Sequence, residues 1–279
     1  TRKSKKVSRV AEQRIVRTVI PLLRRDLILA SLKRGERLDG RGLQDVRQFT
    51  VRTNYVSKAE GSALVELGKT KVIAGVKTSL VNPFMDTPDQ GVLIVNAELS
   101  PLASPFFEAG PPGEEDIELA RVIDRGLRSA PAIDFGKLAI IPGVKVWGIY
   151  VDIYPLDYDG NLIDASGIAA MAALLTAKLP KVKVEDNRVS LLEEYERMPI
   201  VRRVAYVSIV KIGNHLVVDP TLEEEFVSDA RITFAITEDG NICAIQKGGA
   251  GSFTVKELLD AQETAFQAAE RIFSVLRSL

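Results

Sequence analysis

The chain has one cysteine, Cys243, and one histidine, His215, in 279 residues. A single cysteine cannot close an internal disulfide, and with one histidine it cannot build a Cys/His zinc cluster. Zinc chemistry of that kind is therefore excluded, and the expectation is a chain that uses no metal and no cofactor. Aromatic residues are scarce at 6%, whereas apolar residues reach 46% and charged residues 27%, the balance of a soluble mixed α/β or α+β protein. No window is long and apolar enough to span a bilayer, and the basic N-terminus has neither an apolar core nor a small-residue cleavage site. The expectation is a cytoplasmic chain with no membrane partner. The glycine-rich stretch Gly248-Gly249-Ala250-Gly251-Ser252 lacks the Lys-Ser/Thr of a P-loop and does not match a Rossmann fingerprint. It predicts a turn before a helix capped by Ser252 or Thr254.

What is present is unevenly placed. The net charge is zero, yet residues 1–25 hold nine Lys/Arg against the single acid Glu12, so that segment carries +8 and the rest −8. A basic arm beside an acidic body suits contact with a polyanion or an acidic partner, and equally a solvated tail. The chain is long enough for two domains of moderate size. Helical spacing from Ile15 to Leu32 predicts a helix. Strands rich in β-branched residues follow over Val46–Tyr55, Ser62–Leu67, Lys71–Leu80 and Val92–Leu99, then a helix from about Glu115, a strand pair in Leu138–Tyr154 and an alanine-rich helix over Ala165–Leu179. The polar stretch Lys181–Arg188 reads as a link to a second run of strands, closed by a helix over Thr254–Leu276. The division is a basic arm and helix (1–30), a first domain (31–185) and a second (186–279), of α+β class.

The helix Ile117–Arg128 is the most informative segment. Leu119, Ile123 and Leu127 share one face and Arg121, Arg125 and Arg128 another. A row of guanidinium groups can follow successive phosphates of one strand through charge-assisted hydrogen bonds; it can also be a solvated face paired with acids such as Asp124. Cys243, in the apolar run Ile242–Ile245, has the setting of a small core residue rather than a nucleophile. His215 follows the turn Gly213-Asn214, and no Ser/His/Asp set assembles around it. The acidic runs Glu114–Asp116, Asp157 to Asp164 and Asp219 to Asp229 could bind magnesium or do acid–base work, but runs of charge are commonly solvated surface.

The order of Arg37-Leu38-Asp39-Gly40-Arg41, Gly61-Ser62-Ala63-Leu64-Val65, Thr87-Pro88-Asp89-Gln90-Gly91, Ile117–Arg128, Val217-Val218-Asp219-Pro220 and Gln246-Lys247-Gly248-Gly249 resembles RNase PH-like proteins, over nearly all of residues 25–279. Within that family, Asp39-Gly40-Arg41, the Pro-Pro-Gly loop at 111–113 and Asp219-Pro220 look most like the non-catalytic ring subunits of archaeal exosomes. The resemblance implies a first domain like domain two of ribosomal protein S5 and an RNase PH C-terminal-like second domain. It also implies a hexameric ring of three heterodimers with a catalytic RNase PH-like subunit, RNA-binding cap proteins and single-stranded RNA as substrate.

Active members cleave RNA from its 3′ end with inorganic phosphate and hold that phosphate with arginines. Matching the helices without gaps puts Glu115 and Asp164 at the two arginine positions. Carboxylates there would repel a phosphate dianion by on the order of several kcal/mol at short range. The family's two catalytic-region aspartates fall at Glu223 and Asp229. Arg121 and Arg125, with Arg128 beside them, match positions that touch the RNA backbone. The implied role is a non-catalytic subunit that helps hold RNA; the alternatives are a pure ring scaffold and an active phosphate-dependent exoribonuclease.

Overall fold

The computed structural model of the chain describes residues 23–186 and 188–279. The basic arm over residues 1–22 lies outside the described residues. A helix over residues 23–32 (α1) comes first. Then follow β1 (Phe49–Thr53), β2 (Gly61–Leu67), β3 (Thr70–Val81), β4 (Val92–Ala97), α2 (Glu114–Ser129), β5 (Ala139–Ile141), β6 (Lys145–Asp157) and α3 (Leu162–Thr176). The hairpin β7 (Lys178–Glu185) and β8 (Arg188–Arg197) leads to β9 (Val204–Ile212), β10 (His215–Val218), α4 (Leu222–Val227), β11 (Ala230–Thr237), β12 (Ile242–Gly248) and α5 (Val255–Leu276).

The first sheet runs β1-β2-β3-β6-β4, with β5 on β6, and is antiparallel except where β4 lies parallel to β6. Alternate residues Thr70, Val72, Ala74 and Val76 of β3 are buried, so one face meets the core; this is the period-two pattern of a sheet covered on one side. The second sheet is antiparallel, in the order β10-β9-β11-β12. Its central strand β9 is buried almost throughout, against α3 and α5.

α3 joins the two sheets. It packs on β2 and β3 as well as on β9, and it is buried from Ile163 to Leu174. A helix pressed between two sheets needs small residues around its whole circumference, and Ala165, Ala169, Ala170, Ala172 and Ala173 supply them. At Gly167 even a methyl is excluded, because a Cβ would lie 2.2 Å from the Tyr206 ring. Gly126 of α2 meets the same ring, and the Tyr206 hydroxyl donates to the Ile123 carbonyl at 2.6 Å. Tyr206 thus pins α2 and α3 to β9.

Three expectations change. Lys181–Arg188 is not a free link but spans the turn of the β7–β8 hairpin, whose strands are held by cross-strand pairs from Lys178↔Arg197 to Glu185↔Arg188. α3 begins at Leu162 rather than Ala165, because Asn161 adopts the left-handed conformation (φ +58) and its side chain accepts from the Asp164 amide. The acidic run after Asp219 contains α4, a short helix whose Thr221 and Glu224 form a capping box. The glycine-rich stretch ends as a cap: Thr254 Oγ1 accepts from the Glu257 amide at 3.2 Å.

Candidate nucleic-acid interface and inter-domain cleft

α2 is capped by Gly113, whose amide donates to Asp116 Oδ2 at 2.9 Å, while the Leu99 amide donates to the other oxygen at 2.6 Å. Three acids in its first turn suit the positive end of the helix dipole. Leu119, Ile123 and Leu127 are buried and Arg121, Arg125 and Arg128 are exposed, as the spacing predicts. The three arginines are not equivalent. Arg128 donates to Asp124 Oδ1 at 2.7 Å and to the Leu93 carbonyl of β4 at 2.8 Å, which ties α2 to the sheet. Arg121 makes only a loose 3.6 Å pair with Asp124 among the described residues, and Arg125 makes no ion pair there. Two guanidinium groups therefore remain available on this face, and the buried Asp124 holds the third.

Behind this helix, where α2, the end of β6, α4 and β11 meet, lies a cleft of about 210 Å³. Glu115, Glu118, Tyr158, Glu225 and Arg231 face it, over a wall that includes Phe107. Arg231 donates to Glu118 Oε1 at 2.7 Å. Tyr158 donates to Glu225 Oε2 at 2.6 Å, and the Asn161 amide donates to Oε1 at 2.9 Å. Burial raises the Glu225 carboxyl above its usual range despite these bonds, and burial with the Glu225 charge keeps the Tyr158 hydroxyl protonated. Three carboxyl groups face one guanidinium, and that guanidinium already has a carboxylate partner.

The structure does not place Glu115 and Asp164 alike. Glu115 opens on the cleft, whereas Asp164 is buried at the start of α3. Its Oδ2 accepts from Asn161 Nδ2 at 2.8 Å and from the Ser208 amide of β9 at 3.0 Å, while Oδ1 has no partner among the described residues. Burial pushes this carboxyl up to about 7. Asp164 is an inter-domain contact.

Glu223 and Asp229 point away from the cleft. Glu223 pairs with Arg24 and Asp229 with Arg25 at 2.8 Å, both on α1. Asp229 also accepts from the Gly213 amide at 2.7 Å; burial would raise it, but these partners hold it below the usual carboxylate range. Further along α1, Ile28 and Leu32 pack on Val210, Ile212, Val217 and Val227 of the second domain. The charged residues of this stretch that do reach the cleft are Glu225 and Arg231, two positions further along. Residues two apart on a helix are about 200° apart, so Glu223 and Glu225 face opposite ways. The signal that sets the phase was present in Thr221-Leu222-Glu223-Glu224, since a capping box turns Glu224 back on Thr221; the Thr221 amide donates to Glu224 Oε2 at 2.8 Å. Cys243 donates to the Ala235 carbonyl at 3.3 Å, and burial pushes its thiol up to about 11, which leaves it inert.

Residues 45–180 match the 3′ exoribonuclease family, domain 1, and residues 203–268 match domain 2 of that family. The chain is 50% identical over 260 residues to the exosome complex component Rrp42 of Pyrococcus horikoshii, covering 92% of this chain and 95% of that protein. It is 49% identical over 261 residues to the protein of the same name in Sulfurisphaera tokodaii, covering 93% and 95%. Among solved structures it resembles a chain of the Archaeoglobus fulgidus exosome with RNA bound to the active site, with TM-score 0.85 and 43% identity over 92% of this chain and 98% of that one. With both domains matched in order and archaeal relatives aligned along almost their whole length, the chain belongs to the 3′ exoribonuclease, or RNase PH-like, family.

Proposed function

We propose that the chain is a non-catalytic subunit of an archaeal exosome, which forms a ring of three heterodimers with a catalytic RNase PH-like subunit and holds RNA for it. The observation that carries this reading is the cleft. Phosphorolysis needs cations to seat a phosphate dianion beside the scissile phosphodiester, and this cleft offers Glu115, Glu118 and Glu225 with Arg231 already bound to Glu118. A dianion entering it would meet several carboxylates at short range, repulsive by on the order of several kcal/mol.

The available charge lies instead on the outer face of α2. Arg121 and Arg125 can contact the sugar-phosphate chain without reading bases, as a degrader of varied RNA requires. RNA-binding cap proteins and a cytoplasmic setting belong to the same proposal. The test is a ring carrying Arg121→Ala with Arg125→Ala: RNA affinity and degradation should fall while the ring stays whole by light scattering. Unchanged RNA affinity would leave the chain a scaffold.

A further inference from the structure

Beside the arginine row, a groove runs between α2 and the edge of the first sheet. β4 is the terminal strand of the first sheet, and α2 passes along it, leaving a cavity of about 380 Å³. Asn96 of β4 stands opposite Asp152 of β6 and donates to its Oδ1 at 3.1 Å. Glu98 and Tyr154, two residues on from each, continue the same face. Tyr154 is 43% exposed and Ile117, across the groove on α2, is 54% exposed. Arg121 lines the groove from the α2 side, one turn from Ile117.

We infer that this groove takes one nucleobase of a single-stranded RNA whose backbone runs past Arg121 and Arg125. The inference rests on the RNA-holding reading and extends it from the backbone to a base. The volume lies at the small end of ligand pockets and suits one nucleotide. Tyr154 gives the aromatic face on which a base stacks, and Ile117 gives an apolar wall. The polar groups set the orientation: Asp152 and Glu98 repel a phosphate and accept from N–H groups, so the neutral base goes inward and its phosphate stays at Arg121. Burial, and the charges of Asp152 and Glu98, keep the Tyr154 hydroxyl protonated as a donor. Adenine, cytosine and guanine each carry an exocyclic amino group for the carboxylates, whereas uracil turns two carbonyls and one N–H towards them. The groove therefore disfavours uracil.

The test measures binding of short oligoadenylate and oligouridylate to the assembled ring without phosphate, so that no RNA is consumed. Tyr154→Ala should weaken oligoadenylate binding about tenfold, the loss of one stacked base, and Tyr154→Phe should restore most of it. Asp152→Asn should narrow the preference for adenine over uracil. If Tyr154→Ala binds like the parent while Arg121→Ala binds more weakly, the groove is not a base site and the backbone reading stands. If neither substitution matters, the backbone reading falls as well. A ring that comes apart on Tyr154→Ala would make the groove a subunit contact and overturn the inference.

Discussion

The arginines around Asp219 and the arginines on α2 are used in opposite ways. Asp219 sits in the left-handed conformation (φ +48), fully buried, and accepts from the Arg47 amide at 2.8 Å, from Arg47 Nε at 2.9 Å and Nη2 at 2.7 Å, from Arg41 Nη1 at 3.0 Å and from Asn161 Nδ2 at 2.7 Å. Burial would raise this carboxyl, but the arginines hold it below the usual range. Arg37, also buried, reaches Glu224 at 2.9 Å and the Val218 carbonyl at 2.8 Å. The segment before β1 is thereby stapled to the second domain, with the charges of Arg37, Arg41 and Arg47 paired inside the fold. On α2 only Arg128 is held this way, and its neighbours face solvent. A guanidinium that is fully coordinated internally builds the protein; one left on a helix face can bind a polyanion.

Four substitutions sharpen this contrast. The largest effect belongs to Asp219→Ala, which leaves the buried Arg47 without its carboxylate partner and Arg41 with Asp39 alone. Breaking a buried pair costs about 3–5 kcal/mol, a large share of a typical domain's stability. Urea unfolding should show most of the cooperative transition lost at 25 °C. Asp164→Asn acts in the other direction. The Asp164 carboxyl titrates at about 7 in the fold and near 4 when unfolded, so its contribution is favourable at low pH and is lost as pH rises from about 4 to 7. Asparagine keeps one oxygen for Asn161 and Ser208 and carries no charge. The variant should gain stability above pH 7, by about 4 kcal/mol at most, and should lose that part of the pH dependence in urea titrations at pH 5 and 8.

Arg128→Ala removes the bonds to Asp124 and the Leu93 carbonyl and should lower stability by about 1 kcal/mol, with the salt dependence of RNA binding unchanged. Arg125→Ala is its mirror image. Stability should move by less than about 0.5 kcal/mol, while the slope of log affinity against log salt falls by about 0.7, one single-strand phosphate contact. If Arg128→Ala alters the salt slope as much as Arg125→Ala does, the division of the row is wrong.

The same contrast explains what was legible in the sequence. On α2 the 3.6-residue period over sixteen residues fixes both faces, so the buried leucines and exposed arginines follow from spacing alone. Which arginine is held does not, since the Leu93 carbonyl that binds Arg128 comes from a strand 35 residues away. In the acidic run a six-residue helix is too short to show a period. Glu223, Glu224 and Glu225 go to three destinations: Arg24, Arg37 and the cleft. The family resemblance puts the two aspartates at Glu223 and Asp229, while the charged residues of this run that face the cleft are Glu225 and Arg231. Strand order and the burial of α3 between two sheets are tertiary facts. The alanine-rich composition foretold the tight packing of α3 but not its partners.

The proposed role needs a cleft that cannot seat phosphate and a helix face that holds RNA for another subunit. The direct test is phosphate-dependent release of nucleoside diphosphates from single-stranded RNA by this chain alone, by the proposed RNase PH-like partner alone and by the two together. The expected result is no release by this chain alone and the highest rate from the mixture. Release of diphosphates by this chain alone would contradict it, because Glu115, Glu118 and Glu225 could not then be what a phosphate dianion meets.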